Sequence, residues 1–257
     1  MNFLKKASAG LFAVLFWLAI WGIASYRINN SFIMPSPKNV ITSVAALLKS
    51  SDFWIITSQS LLRILLGIVI AVILGILIAV ITTAIPFFNV LITPLMSAVK
   101  ATPVASFIFI AIIFMNRNSL PVFITALLVL PIIWTNVSSG IKSVPKDLKE
   151  VAKIYKLNKF IQIKKLYVPT VLPYFLAACR SALGLAWKAG IAAEVLCTPK
   201  SAIGTELYFS KTYLDTELLF AWTLITIILS LIIEKSIILM LSKLPFKISQ
   251  ASSEVRA

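Results

Sequence analysis

The chain has 257 residues, of which 60% are hydrophobic and only 13% are charged, and its mean hydropathy is +0.98. Soluble domains are about half apolar, so this composition predicts an integral membrane protein and disfavours a soluble enzyme or a nucleic-acid-binding domain. Lysine and arginine outnumber aspartate and glutamate by 24 to 9, and histidine is absent, which excludes His-containing zinc sites and Ser-His-Asp triads.

Six apolar stretches, each long enough to cross a hydrocarbon core of ~30 Å, follow one another along the chain. They cover approximately residues 9–26, 60–81, 87–115, 120–137, 171–193 and 218–241. The first follows Lys5 and Lys6 and by itself resembles a signal peptide, but five later stretches favour an anchor. The predicted fold is an all-α, polytopic membrane protein with about six transmembrane helices, forming one domain over residues 1–257.

Small residues recur at every fourth position of the second stretch, as Gly67, Ala71, Gly75 and Ala79. This spacing places them on one helix face, where a neighbouring backbone can approach closely. We therefore predict that this helix packs inside the bundle through these four residues.

The third stretch is interrupted by Pro94 and by residues 100–103, which end in Pro103. Prolines in these positions predict a shallow or kinked helix followed by a span. A broken helix can border a transport pathway or can be a simple kink, and the sequence leaves both interpretations open.

The segment between the fourth and fifth stretches, residues 141–169, contains eight lysines against Asp147 and Glu150. Lysine-rich loops stay on the cytoplasmic side, so this segment is predicted to be cytoplasmic. By alternation both chain termini are also predicted to be cytoplasmic, in a cell (cytoplasmic or inner) membrane.

A short amphipathic helix is predicted within this segment. Pro145 suits a first helical position, and Leu148, Val151, Ala152 and Tyr155 then recur on one helix face. A lysine-rich amphipathic helix can rest on anionic lipid headgroups or dock onto a soluble partner. Spacing alone does not decide between the two.

The same segment resembles the EAA loop of permease subunits of binding-protein-dependent ABC importers. That pattern is Glu-Ala-Ala, three residues, Gly, nine residues and Ile-x-Leu-Pro; Glu150, Ala152 and Pro169 agree with it. Lys156 replaces the Gly of the pattern. A Gly there would suit a left-handed turn between two short helices, and Asn158 is the candidate to supply that turn instead. The other departures are Val151, Leu166 and Val168.

The resemblance extends over roughly residues 60–240. The segments that carry it are residues 60–63, 143–145, 172–173, 184–187 and 192–194. They are similar to the nitrate/sulfonate/taurine branch of these permeases, which also includes transporters of thiamine-pyrimidine precursors.

This resemblance implies a type I ABC importer permease that works as a homodimer. Its cytoplasmic coupling helix would insert into a groove on each of two separate ATPase subunits, and an extracytoplasmic substrate-binding protein would deliver a sulfonate-, taurine- or nitrate-like anion or a thiamine-pyrimidine precursor. The residues it assigns to ATPase coupling are Pro145, Leu148, Glu150, Val151, Ala152, Tyr155, Lys156, Asn158 and Pro169. No GxxxxGK[ST] run occurs in the chain, so ATP and Mg²⁺ are expected on the partner ATPase and no cofactor or metal on this chain.

Three charged residues, Arg180, Lys188 and Glu194, interrupt the fifth stretch. At ~100° per residue they share one helix face about 120° wide. They form either an internal ion-pair set that fixes helix packing or part of the lining of a translocation pathway, and Lys188 is the residue best suited to tune the solute. The pathway candidates are Arg180, Gly184, Trp187, Lys188 and Glu194, of which Trp187 can stack on a ring or pack within the bundle.

The main alternative function is ion-coupled secondary transport. Such a carrier needs ion-binding groups near the membrane centre and often has two related halves, and the sequence contains neither a central carboxylate nor an internal repeat. A membrane enzyme or assembly factor is disfavoured by the missing histidine and the few carboxylates.

Overall fold

A computed structural model of the chain describes residues 2–242, and the side chains of residues 12–239. Residues 240–241 of the last predicted span and residues 9–11 of the first are therefore described by backbone alone, as are Lys5 and Lys6. Within the described range the elements are all helical, which confirms the all-α class. They are α1 (Asn2–Ile28), α2 (Pro37–Lys49), α3 (Ser51–Ala84), α4 (Pro86–Ala101), α5 (Val104–Phe114), α6 (Leu120–Lys142), α7 (Lys146–Ile154), α8 (Lys159–Gln162), a π-helical turn (Ile163–Tyr167), α9 (Val168–Cys197), α10 (Ile203–Thr212) and α11 (Thr216–Ser242).

Four helical segments of the described chain are long and apolar enough to cross a membrane. They are Ser51–Ala84, Leu120–Lys142, Lys159–Cys197 and Thr216–Leu239. The pair α4 and α5 makes a fifth if it counts as one broken span, and Phe12–Ile28 is a shorter apolar helix. The sequence predicted about six spans; the two not counted among these four correspond to α1, whose side chains are described from residue 12 onward, and to the broken pair α4 and α5.

The third predicted span is replaced by two helices that meet at a bend of 106°. Thr102, at the break, has extended backbone angles (φ −81°, ψ 132°), as expected for a residue that precedes proline. Helix α5 has 11 residues, which at ~1.5 Å per residue is too short to cross the hydrocarbon core by itself. The part after the break is thus shorter than a full span, and α4 and α5 cross the membrane only if they act together as one broken span.

Two helices occupy regions that the sequence left between spans. Helix α2 begins at Pro37 after Ser36, whose hydroxyl accepts a hydrogen bond from the Asn39 N–H at 3.2 Å, a standard N-cap. Helix α10 lies in the second region, between α9 and α11. Neither is apolar and long enough to have been identified as a span.

The chain divides into two compact units. The first comprises the chain up to Leu65, Val104–Ile124 and Ala189–Leu229, and the second comprises Leu66–Pro103, Thr125–Lys188 and the chain from Ser230. In the first unit Phe53 stacks on the buried Trp222 with ring centroids 5.6 Å apart. Its buried apolar side chains come mainly from α3, α5, α6, α9 and α11.

In the second unit, α3 and α6 approach each other closely. The four small residues Gly67, Ala71, Gly75 and Ala79 are all buried, and a Cβ added at Gly75 would lie 2.8 Å from the Cβ of Ile133. Only glycine therefore fits at this point of the α3 face without a shift of α6. The packing is consistent with the spacing argument.

Candidate functional sites

The lysine-rich segment forms two short helices joined by a tight turn. Helix α7 begins at Lys146, so Pro145 is its N-cap residue rather than its first helical residue. The side chain of Ala152 is buried, whereas Leu148, Val151 and Tyr155 are 49%, 45% and 74% exposed. The predicted helix face is thus divided: Ala152 packs against the protein and the other three remain open.

The turn after α7 has the hydrogen bonds of a Schellman motif. The N–H of Leu157 donates to the carbonyl of Ala152 at 2.9 Å, and the N–H of Lys156 donates to the carbonyl of Lys153 at 3.0 Å. Lys156 has φ +45°, the left-handed conformation that this motif requires and that glycine usually supplies. Lys156 therefore adopts the left-handed conformation that was expected at the Gly position of the EAA pattern.

Asn158 has a different role from the one the sequence suggested. Its φ is −58°, and its side chain accepts a hydrogen bond from the N–H of Phe160 as the N-cap of α8. It starts the second short helix and does not form the left-handed turn. The expectation that Asn158 replaces the missing Gly is wrong, because the preceding Schellman bonds fix the turn two residues earlier.

The exposed apolar surface of the loop is larger than the sequence indicated. Ile154 is 75% exposed and Phe160 is 69% exposed. At ~100° per residue, Ile154 extends the open face of Leu148, Val151 and Tyr155 to an arc of about 120° on α7. Glu150 lies outside this arc and is exposed.

A π-helical turn joins the loop to α9. The N–H of Val168 donates to the carbonyl of Ile163, five residues earlier, directly before Pro169. Proline has no N–H for the usual bond to the residue four positions back, so the wider turn occurs where the regular pattern cannot continue. Helical structure then runs without interruption from Lys159 to Cys197.

Beside this turn lies a groove of about 540 Å³, within the second unit. Its walls are the C-terminal ends of α3 and α6, the π-helical turn and the first turns of α9. The lining side chains include Ile76, Val80, Ile141, Tyr167 and Phe175. Because the lining contains no charged residue, the groove is unsuited to a charged ligand.

The structure separates the charged residues predicted on α9. Arg180 and Lys188 are exposed, Gly184 is intermediate, Trp187 is buried and Glu194 is fully buried. Among the described residues, Arg63 and Glu194 form the single ion pair, at 3.4 Å. Glu194 therefore belongs to an internal polar network, whereas Arg180 and Lys188 have no ion-pair partner in that part of the chain.

The Glu194 network joins α3, α9 and α10 within the first unit. One carboxylate oxygen accepts hydrogen bonds from the Ser60 hydroxyl at 2.8 Å and from the Gly204 N–H at 3.1 Å. The Ser60 hydroxyl in turn accepts from the Ile203 N–H at 2.9 Å. These bonds satisfy the buried carboxylate and the first N–H groups of α10, which a helix cannot satisfy internally.

Arg63 ties the α9–α10 connection to the same network. Its guanidinium donates to the carbonyl oxygens of Lys200 at 2.7 Å and of Ser201 at 3.1 Å, besides contacting Glu194. The sequence did not assign Arg63 or Ser60 a role. They stand more than 130 residues from Glu194, and periodicity within one helix carries no information about such a contact.

Gly204 completes the network by its lack of a side chain. A Cβ at this position would lie 2.4 Å from the Cβ of Glu194 and 2.5 Å from the backbone nitrogen of Val195. The start of α10 therefore rests directly on the backbone of α9. This close approach lets the Gly204 N–H reach the carboxylate.

The described residues contain no group of three or more His, Cys, Asp or Glu side chains that could hold a metal ion. The fold defines the protein as a multi-pass helical membrane protein. The chain belongs to the family described as binding-protein-dependent transport system inner membrane component, whose model matches residues 67–241. The family predicted from the loop pattern is thereby confirmed.

Individual relatives agree with this assignment. The chain is 28% identical to the nitrate import permease protein NrtB of Synechococcus elongatus, with 70% of this chain and 68% of the relative covered. It is 30% identical to the putative aliphatic sulfonates transport permease protein SsuC of Escherichia coli, with 78% and 76% covered. The relatives support the predicted branch, and the chain is a permease component rather than an ion-coupled carrier.

A solved structure supports the fold. A chain of a bacterial alginate ABC transporter, crystallised with a periplasmic protein bound to an alginate pentasaccharide, superposes with a TM-score of 0.54. The match covers 92% of this chain and 93% of that chain at 15% identity. The similarity extends over nearly the whole length, which supports the type I permease architecture.

Proposed function

We propose that this permease imports a small anionic solute and is powered by ATPase subunits that bind the loop of residues 145–169. Relatives named for nitrate and for aliphatic sulfonates favour an anion over a thiamine-pyrimidine precursor. The proposed assembly contains two copies of this chain, two ATPases that bind ATP and Mg²⁺, and an extracytoplasmic binding protein. This chain has no enzymatic role in the proposal.

The observation that carries the coupling role is the open apolar arc on α7. Leu148, Val151, Ile154 and Tyr155 are each at least 45% exposed, although they lie in a segment that is otherwise rich in lysine. Exposed apolar and aromatic residues on a rigid element are typical anchors of a protein interface. The Schellman turn at Lys156 holds α7 in a fixed orientation for docking.

The helical run from Lys159 to Cys197 supports a mechanical role for the loop. A displacement of α7 and α8 by the ATPases would pass through the π-helical turn into α9 without an intervening flexible segment. Arg180 and Lys188 lie on α9 and are exposed. Movement of this helix would change their surroundings, as expected for an alternating-access transporter.

The lysines of the loop support a cytoplasmic location for it. Lys153→Cys on α7 and Lys200→Cys on the α9–α10 connection test this orientation, because both native side chains are exposed. In intact cells a membrane-impermeant maleimide should label the cysteine at 200 and not the one at 153, and in inverted vesicles the reverse. The parent chain, with Cys179 and Cys197, gives the background, and labelling of position 153 in intact cells would refute the topology.

The transport proposal is tested by co-purifying the chain with its ATPase and binding protein and reconstituting the complex in vesicles. ATP-dependent uptake of labelled nitrate or methanesulfonate, absent with an inactive ATPase, is the expected result. Uptake that follows an ion gradient and persists without the ATPase would overturn it.

A further inference from the structure

Lys100 is an exposed cation at the end of the largely apolar helix α4. It lies in the last turn of α4, one residue before the helix ends at the break that precedes Pro103. The neighbouring helix α5 contains only apolar residues apart from Ser106. A charge in such surroundings is costly unless it faces protein or a water-filled cavity.

The hydrogen-bond partner of Lys100 locates its ammonium group along helix α6. Its Nζ donates a hydrogen bond to the Thr135 hydroxyl at 2.8 Å. Thr135 lies on α6, seven residues before the helix ends at Lys142, a distance of about 10 Å at 1.5 Å per residue. The ammonium therefore lies beside α6, about 10 Å along the helix axis from its C-terminal end, and α6 is long and apolar enough to span a membrane.

One further contact holds the ammonium, and two hydrogen bonds hold its partners Trp134 and Thr135. It lies 6.0 Å from the ring centroid of Trp134, within the range of a cation–π interaction. The Trp134 ring is held by a hydrogen bond from its Nε1 to the Thr82 hydroxyl at 2.9 Å. The Thr135 hydroxyl donates to the Pro131 carbonyl at 2.7 Å, so its oxygen is oriented to accept from Lys100.

This arrangement leaves the charge without a counter-ion in the described part of the chain. Lys100 is exposed, and the single ion pair found there joins Arg63 to Glu194. An ammonium group has three N–H donors, of which Thr135 takes one. The other two point to no acceptor among the described residues and are available to an anion.

We propose that Lys100, held in position by Thr135 and Trp134, provides an anion-binding site through which the transported solute passes. The ligand class is a small anion with oxygen acceptors, such as nitrate or a sulfonate group. That the anion is the transported solute rests on the proposed function, whereas anion binding at Lys100 does not. Lys188, the solute-tuning candidate from the sequence, is also exposed but has no comparable set of fixing contacts.

Iodide quenching of Trp134 fluorescence tests the site directly. The full-length chain is purified in a non-ionic detergent, and the Trp134 signal is obtained as the difference between each protein and its Trp134→Phe variant, since the chain has six tryptophans. Iodide bound at Lys100 should quench this signal with saturation, and added nitrate should relieve the quenching by competition. Acrylamide, a neutral quencher, reports accessibility alone.

Lys100→Gln should weaken the saturable iodide quenching by roughly tenfold or more, as expected when a hydrogen bond to a charged group is lost. Lys100→Arg should retain it, and Lys49→Gln, which removes an exposed charge in the last turn of α2, should behave like the parent. Acrylamide quenching should be equal in all four proteins. Unsaturable iodide quenching that is unchanged in Lys100→Gln would overturn the site.

A lipid phosphate is the other source of the same chemistry. Nanodiscs of phosphatidylcholine and of phosphatidylglycerol separate the two sources, because a solute site remains open to iodide and nitrate in both. Protection from iodide in phosphatidylglycerol, with no competition by nitrate, would overturn the assignment to the solute. If the Lys100→Gln variant bound iodide normally while the parent complex showed ATP-driven uptake, this site would be refuted and the proposed function would stand.

Discussion

The network around Glu194 and the loop of residues 145–169 differ in whether their side chains find partners within this chain. Around Glu194 a buried carboxylate has three donors, and Arg63 and Ser60 satisfy the backbone groups of the α9–α10 connection. On the loop, large apolar side chains such as Ile154 and Tyr155 are about three-quarters exposed. The first region is thus satisfied within one chain, whereas the second has an open apolar surface, as expected for the proposed docking of another protein.

The strongest test of this contrast is Glu194→Ala. The change leaves Arg63, Ser60 and the Gly204 N–H without their shared acceptor, and breaking a buried pair in this way costs about 3–5 kcal/mol. We expect the apparent Tm of the chain in detergent to fall by roughly 10 °C.

Glu217→Ala is the matched control, because Glu217 is only half-buried and accepts one hydrogen bond, from Asn39 at 2.7 Å. It should cost no more than about 1.5 kcal/mol. Adding Arg63→Leu to Glu194→Ala should recover part of the loss, since it removes the unpaired charge. Equal melting temperatures for Glu194→Ala and Glu217→Ala would show that the network is not a stabilising unit.

Changes to the loop should instead weaken binding of the ATPase without lowering the Tm of the chain. The double variant Val151→Ala/Tyr155→Ala truncates two exposed side chains of the apolar arc, and loss of two interface anchors costs about 2–4 kcal/mol of binding, or roughly 100-fold in affinity. Pull-down or calorimetry with the ATPase measures the affinity, and the Tm of the free chain should not change.

Lys153→Ala is the control for the loop, since Lys153 is exposed on the same helix but lies outside the apolar arc. It should bind the ATPase nearly as well as the parent. Ala152 is less useful as a test of docking, because its side chain is buried and a polar replacement would disturb the loop itself. Unchanged affinity of the double variant would remove the arc from the interface.

Gly204→Ala probes how tightly the completed region is packed. Its new methyl group would meet the backbone of α9 at 2.5 Å, and overpacking of this kind costs about 2 kcal/mol. The Tm should fall by roughly 5 °C. Gly184→Ala is the control, because nothing lies within 4 Å of a Cβ at Gly184, and it should leave the Tm unchanged or slightly raised; a similar fall in both variants would contradict the close approach.

The smallest effect is expected at Lys156→Gly. Its φ of +45° costs a side-chain-bearing residue about 1 kcal/mol, so glycine should raise the Tm by a few degrees. Lys159→Gly, in α8, should instead lower it slightly, because glycine is unfavourable within a helix. A lower Tm for Lys156→Gly would mean that the lysine side chain itself stabilises the turn.

Local sequence patterns predicted the helices and the helix break that depend on residues close together in the chain. Apolar runs located α3, α6, α9 and α11, and the proline at position 103 marked the break after α4. Proline alone did not identify which helices break: Pro94, Pro131 and Pro173 lie inside continuous helices, because neighbouring groups in a membrane bundle can satisfy the backbone that proline frees.

The candidate sites were less predictable for two physical reasons. The partners of Glu194 come from a helix more than 130 residues away, and no pattern within α9 specifies them. The left-handed turn falls on Lys156 because the Schellman bonds favour that conformation despite an unfavourable residue, whereas residue preferences pointed to Asn158. Lys100 was visible as an interruption of an apolar run, but its fixed position depends on Trp134 and Thr135 of another helix.

The anchoring of the α9–α10 connection bears on how solute could enter from that end of the molecule. A swinging flap needs a hinge whose peptide groups are free to rotate, yet those of Lys200, Ser201 and Ile203 are tied to Asn118, Arg63 and Ser60. This connection is therefore part of a stiff block that includes the start of α3. Any opening at this connection would require whole helices to move as rigid bodies.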